Sequence, residues 1–161
     1  MLKLQRLRDV EFFSPLISFL EEKLFPKIEN EDFFFKDSGD VFTISITPQG
    51  ANYVPITFVF WIDELRLTVL IDNKEIFDDF LNSDEAVKNE MLFLNTLLSN
   101  KVVKTIFSRK EKEKKRSYEY SLFDKGSNSV VNDESISGLI LPWVSLKEAK
   151  HIYDPWISSN E

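Results

Sequence analysis

Apolar positions change period several times along this chain, and each change marks an element. Leu16, Ile17, Leu20 and Leu24 recur at helical spacing, with Phe13 just ahead and Glu21, Glu22 and Lys23 on the other side. Ser14 supplies an N-cap, and Pro15 falls at the first helical position, where a missing N–H costs nothing. Pro26 disfavours a helical conformation at Phe25 and ends or kinks the element. Residues 1–13 hold at most an earlier helical turn. A polar connection follows over residues 29–40, interrupted by the triplet Phe33, Phe34 and Phe35.

The period then drops to two. Over residues 41–47, Phe42, Ile44 and Ile46 alternate with Thr43, Ser45 and Thr47, which predicts an antiparallel strand with one wet face. Pro48, Gly50 and Asn52 supply a turn. Residues 54–62 are apolar on both sides and read as a central strand, with Pro55 tolerated at its start. A third strand, residues 65–71, follows the tight connection Asp63–Glu64, which is not one of the preferred glycine turns.

Helical spacing returns over residues 74–81, read as a short helix. It returns more strongly after Ser83, a good N-cap followed by Asp84 and Glu85, acids that the helix dipole favours in a first turn. Val87, Met91, Leu94 and Leu98 give an apolar stripe through Ser99, and Asn100 stops the helix. Two more strands are expected at residues 102–110 and 116–123. The run KEKEKKR between them, Lys110 to Arg116, reads as a charged hairpin tip. Residues 124–138 read as a mobile polar loop. Ser145 and Glu148 form a capping box that opens a last helix through about Ile152, and Tyr153, Pro155 and Trp156 dock the tail.

The resulting order, α-β-β-β-α-β-β-α, predicts an α+β fold: an antiparallel sheet of about five strands with helices packed on one face. At 161 residues the chain suits a single domain. No stretch reaches the ~18 consecutive apolar residues of a membrane span. The first residues lack the apolar core of a secretory signal, so a cytoplasmic protein with no membrane partner is expected.

Charge changes this picture most. The formal net charge is −7, which argues against a nucleic-acid partner. It is unevenly distributed. The run from Lys110 to Arg116 carries +3, leaving −10 for the rest of the chain. Half of that lies between residues 72 and 90, where Asp72, Glu75, Asp78, Asp79, Asp84, Glu85 and Glu90 stand against Lys74 and Lys88. The bland reading is a solvated helix face. The functional one is a partner-binding acidic surface that steers a basic protein into place. A second group comprises Glu29, Glu31, Asp32, Asp37 and Asp40.

Candidate chemistry is sparse. There is no cysteine and one histidine, which removes thiol nucleophiles, cysteine-based metal sites and multi-histidine sites. His151 has no nucleophile or orienting partner that spacing identifies. The isolated glycines make no phosphate-binding loop. No catalytic, metal or cofactor-binding residue is therefore assigned, and no cofactor is expected. One enzyme outline stands as the alternative, a Mg²⁺-dependent nuclease in which Asp63 and Asp72 hold the ion and Lys74 positions water. A structural or phage-derived protein is the other alternative.

The three-strand meander over residues 41–71, the helix after Ser83 and the following strand pair carry a further signal. In this order of elements, and in the phrase MLFLNTLLSN at residues 91–100, the chain resembles the type III secretion chaperone-like fold family. That resemblance implies a small acidic cytoplasmic protein that binds other polypeptides, often as a homodimer. The reading is thus a non-enzymatic bacterial protein-binding module. One version is an immunity protein that blocks a cognate toxin and needs no dimer to do so. The other is a chaperone-like protein, monomer or homodimer, that holds a secreted effector.

Overall fold

The computed structural model describes residues 4–49, 52–109, 112–121, 128–135, 145 and 147–157. The fold is α+β, with helices and a five-stranded antiparallel sheet as expected, and a second sheet besides. The chain, expected as one domain, divides into two compact units, Met1–Asn95 and Thr96–Asn160. The boundary falls inside a long helix.

The first unit opens with α1 (Gln5–Arg8) and α2 (Ser14–Lys23), followed by a 3-10 turn at Phe25–Lys27. Leu16, Ile17 and Leu20 are buried, as their spacing requires. Ser14 lies one residue inside α2 instead of capping it, and Ser18 Oγ donates back to its carbonyl at 3.0 Å. Five strands follow: β1 (Phe33–Asp37), β2 (Val41–Ile46), β3 (Ile56–Trp61), β4 (Arg66–Ile71) and β5 (Lys74–Phe80). They form one meander in chain order with β3 at its centre.

Cross-strand rows build the core. Phe42, Phe60 and Leu67 make one row, Ile44, Phe58 and Val69 the next, and Ile46, Ile56 and Ile71 the third. All nine are buried. Removing one such side chain from water contributes about 1.5–3 kcal/mol. Phe13, just before α2, meets Phe60 edge to face at 5.2 Å, and Phe77 of β5 stacks on Phe93 at 5.0 Å. These contacts bring the helical residues of this unit to one face of the sheet. The opposite face, with Thr43, Ser45, Thr57, Val59 and Trp61, is half-buried.

Two strands stand where others were expected. The Phe33–Phe35 triplet, read as part of a polar connection, is β1. Phe33 and Phe35 face the core side and stack at 5.5 Å, whereas Phe34 points out and is 61% exposed. Gly39, at φ 79°, takes the left-handed position that the β1–β2 turn needs. Residues 74–81, read as a short helix, form β5. Its register steps from Val69↔Phe77 to Leu70↔Glu75, leaving Ile76 as the extra residue of a bulge. The bulge breaks strict alternation and mimics helical spacing.

The long helix α3 (Asp84–Ser99) matches its expected bounds. Ser83 Oγ accepts the Ala86 N–H at 3.2 Å, and the Asn100 side chain donates to the Thr96 carbonyl at 2.7 Å. Both ends thus satisfy backbone groups that a bare helix leaves open.

The second unit holds β6 (Val102–Arg109), β7 (Lys112–Ser121), β8 (Asn128–Ser135) and β9 (Lys147–Tyr153) in the order β8-β7-β6-β9. The strand pair expected after the long helix is therefore in a separate sheet. Most of the KEKEKKR run lies within β7 instead of at a hairpin tip, and residues 110–111 lie outside the described residues. Residues 128–135, expected inside the polar loop, are β8, and the rest of 124–138 lies outside the described residues. The segment after Ser145, expected as a helix, is β9. A helix of its length is marginal alone, because nucleation is costly, whereas β6 offers a ready ladder from Val102↔Tyr153 to Ser108↔Lys147. Trp156 and Ile157 are buried, and the Ile157 N–H caps the Leu98 carbonyl at 3.1 Å. Among the described residues, no helix is long and apolar enough to cross a membrane.

Candidate functional site

The acidic run does not form one surface. A β-hairpin and a helix sort its members into four settings. Asp72, with Asn73, forms the β4–β5 turn, where both adopt left-handed backbone (φ 48° and 64°), the geometry of a two-residue hairpin connection. Glu75 sits beside it at the register of Leu70.

Consecutive strand residues face opposite ways, so Asp78 and Asp79 part company. Asp78 points to the half-exposed face, toward Thr68 and Arg66. Arg66 forks its carboxylate, with Nε to Oδ1 at 2.8 Å and Nη2 to Oδ2, and Thr68 Oγ1 donates to Oδ1 at 2.7 Å. The guanidinium lies 5.6 Å from the Trp61 ring and 5.9 Å from that of Phe80. The Arg66 hydrogen bond holds the Asp78 carboxyl below its ordinary range and raises the guanidinium above its own. Asp78 is thus already occupied by a cation of its own chain.

Asp79 points to the helix-covered face, at the register of Leu67. There it meets α3. A pocket of about 290 Å³ is lined by Phe77, Asp79, Ser83, Glu85, Ala86, Asn89 and Glu90. Among the described residues its lining holds three carboxyl side chains and no lysine or arginine. Asp79 Oδ1 accepts the Phe80 N–H at 2.7 Å. Asp84 borders a neighbouring cavity of about 270 Å³ with Glu11, Phe12 and Lys88.

Glu90 is the exceptional member. It was expected on the acidic surface, yet it is only 1% exposed. Neither carboxylate oxygen accepts a hydrogen bond among the described residues. Burial, and next the charge of Asp79, push its carboxyl up to about 8 from 4.5. At neutral pH it is therefore mostly protonated. Native interiors seldom leave a buried polar group without a partner, which makes Glu90 a candidate functional position. Its burial was readable: Glu90 stands three residues after Val87 and four before Leu94, on the apolar stripe of α3. Phe77 and Asn89 carry no signal of their own in the sequence, because the helical spacing of residues 74–81 hides the strand that brings Phe77 opposite α3.

The enzyme outline is not assembled. Asp63 lies in the β3–β4 turn and Asp72 in the β4–β5 turn, at opposite ends of β4, about 20 Å apart at ~3.3 Å per strand residue. Glu64 lies 3.4 Å from Arg66. Among the described residues no group of three or more His, Asp or Glu side chains is placed to hold a metal ion. His151 is exposed on β9 opposite Lys104, its ring 4.3 Å from that of Tyr153. No family model, no curated protein and no solved structure matches the chain.

Proposed function

We propose that this chain is a non-enzymatic protein-binding module of bacterial type, a cytoplasmic immunity protein that neutralises a cognate basic toxin by covering it. The observation that carries this reading is the pocket where Asp79, Glu85 and Glu90 converge, with no basic residue in the lining among the described residues. A toxin that attacks nucleic acid must itself be basic to bind its substrate, so an acidic surface steers it quickly and specifically. The surface that does this is narrower than the acidic run. Asp78 is neutralised by Arg66 and Glu90 is buried, and Asp79, Asp84 and Glu85 are the carboxylates that the two neighbouring cavities present.

The test uses the full chain as bait in native extract at low salt, beside a variant carrying Asp79→Lys, Asp84→Lys and Glu85→Lys. The expected result is a basic protein held by the wild type and released by the variant, with affinity falling steeply as salt rises. Equal retention by both chains would remove the electrostatic reading. A chaperone-like role is favoured by a different observation: Phe34 and Phe80 lie 61% and 50% exposed on the open sheet face. That role would hold an extended polypeptide there, and charge reversal around Asp79 would leave it intact.

A further inference from the structure

We propose that the pocket at Glu90 is a receptor for a single arginine side chain presented by the protein partner. This rests on the protein-binding reading and gives it an anchor. Glu90 supplies two buried carboxylate oxygens that take no hydrogen bond within the described chain. A guanidinium offers five N–H donors in a planar fork matched to a carboxylate. Asp79 and Glu85 flank the same pocket, and Asn89 and Ser83 bring neutral oxygens. Phe77, braced by its stack on Phe93, forms an aromatic wall on which a guanidinium plane can lie.

Size and charge narrow the occupant. At about 290 Å³ the pocket falls at the bottom of the ~300–1,000 Å³ range of small-molecule sites. It suits one side chain better than a cofactor. Arginine is favoured over lysine because its guanidinium is weakly hydrated, stacks on aromatic rings and stays charged when desolvated. The chain builds the same chemistry once already, where Arg66 is forked by Asp78 beside the rings of Trp61 and Phe80. In the Glu90 pocket the carboxylates and the ring are present, and the cation comes from outside.

Protons follow from this arrangement. The charged groups lining the pocket are Asp79 from β5 and Glu85 from the same helix, both acidic. Burial, and next the charge of Asp79, keep Glu90 protonated, and an arriving guanidinium favours its carboxylate. Binding therefore releases a proton below the Glu90 pKa and tightens as pH rises, by up to about tenfold per unit when one proton is released.

The experiment titrates the isotopically labelled full chain with acetyl-Gly-Arg-Gly-amide at pH 6 and pH 8, following backbone amide shifts at Ala86, Asn89 and Glu90. Matched arms use the citrulline peptide, which keeps the shape and loses the charge, agmatine, and Mg²⁺. The expected result is millimolar binding of the arginine peptide, at least tenfold tighter at pH 8. Citrulline and Mg²⁺ leave these amides unmoved, and agmatine binds no tighter than the peptide. Glu90→Gln is expected to remain folded and to bind at least tenfold more weakly at pH 8. No shift with the arginine peptide, equal shifts with citrulline, unchanged binding by Glu90→Gln, or micromolar binding of agmatine would each overturn the proposal. Retention of a basic partner equally by wild type and Glu90→Gln would remove the arginine receptor and leave the protein-binding reading standing. A peptide-binding pocket in a chain that retains no basic partner would do the reverse.

Discussion

Replacing Glu90 by glutamine is expected to make the protein more stable, and increasingly so as pH rises. The folded chain holds a proton on Glu90 up to about pH 8, whereas an unperturbed glutamate releases it near 4.5. Between those values the folded state binds one proton more than the unfolded state. Stability therefore falls with pH, by about 1.4 kcal/mol per unit from this residue alone. Its contribution is intact below pH 4.5, is eroded through the window and is lost once pH passes 8. At pH 7 the accumulated loss is about 3 kcal/mol. Glutamine keeps the shape and the neutral state and cannot ionise, so Glu90→Gln should match the wild type within about 1 kcal/mol at pH 5 and exceed it by about 3 kcal/mol at pH 7. For a chain of this length that difference raises Tm by about 6–12 °C. Urea and thermal unfolding followed by circular dichroism, at pH 5, 6, 7 and 8 for both chains, supply the comparison. A stability difference that stays constant across this range would refute the reasoning, because it would mean that Glu90 does not change its protonation on folding.

Other perturbations follow from the same structure. Ser83→Ala removes the side-chain acceptor of the Ala86 N–H and should cost about 1 kcal/mol, read as a lower urea midpoint with unchanged slope. Asn73→Gly places the residue best suited to φ 64° in the β4–β5 turn and should raise stability by about 0.5 kcal/mol, a small upward shift in Tm. Phe58→Ala, at the centre of β3 and fully buried, should cost about 3–5 kcal/mol in the same unfolding assay. The Arg66–Asp78 pair should stabilise the fold at neutral pH and cease to do so as pH falls through the lowered Asp78 pKa, so an Asp78→Asn variant and the wild type should converge in stability at strongly acidic pH.

The parts legible in the sequence are those where one local signal governs. The strict alternation Phe42, Ile44, Ile46 and the buried pattern of residues 54–62 identify β2 and β3, because each strand has a defined face to bury. Ser83 and the stripe from Val87 to Leu98 identify α3, because cap and periodicity agree. The failures have physical causes. In β1, phenylalanines occupy both faces, so alternation is invisible. In β5, the bulge at Ile76 shifts the phase and simulates a helix. In β9, a capping box competes with a strand partner far away in sequence, and the partner prevails. These errors reached the site. The acidic residues were found by composition, but their sorting depends on β5 being a strand. Only then do Asp78 and Asp79 face apart, one to Arg66 and the other to α3. Glu90 was counted as surface charge because an acid on an apolar stripe is rare, although its spacing already placed it there.

In the proposed receptor, Glu90 is a buried, neutral carboxyl that ionises when a cation arrives. Its side-chain carboxyl carbon can be titrated directly by nuclear magnetic resonance in the full chain, without and with saturating arginine peptide. The expected result is a pKa near 8 in the free chain that drops by about one and a half units or more when the peptide is bound, as tenfold tightening between pH 6 and pH 8 requires. A free-chain value near 4.5, or a raised value that the peptide leaves unmoved, would contradict it.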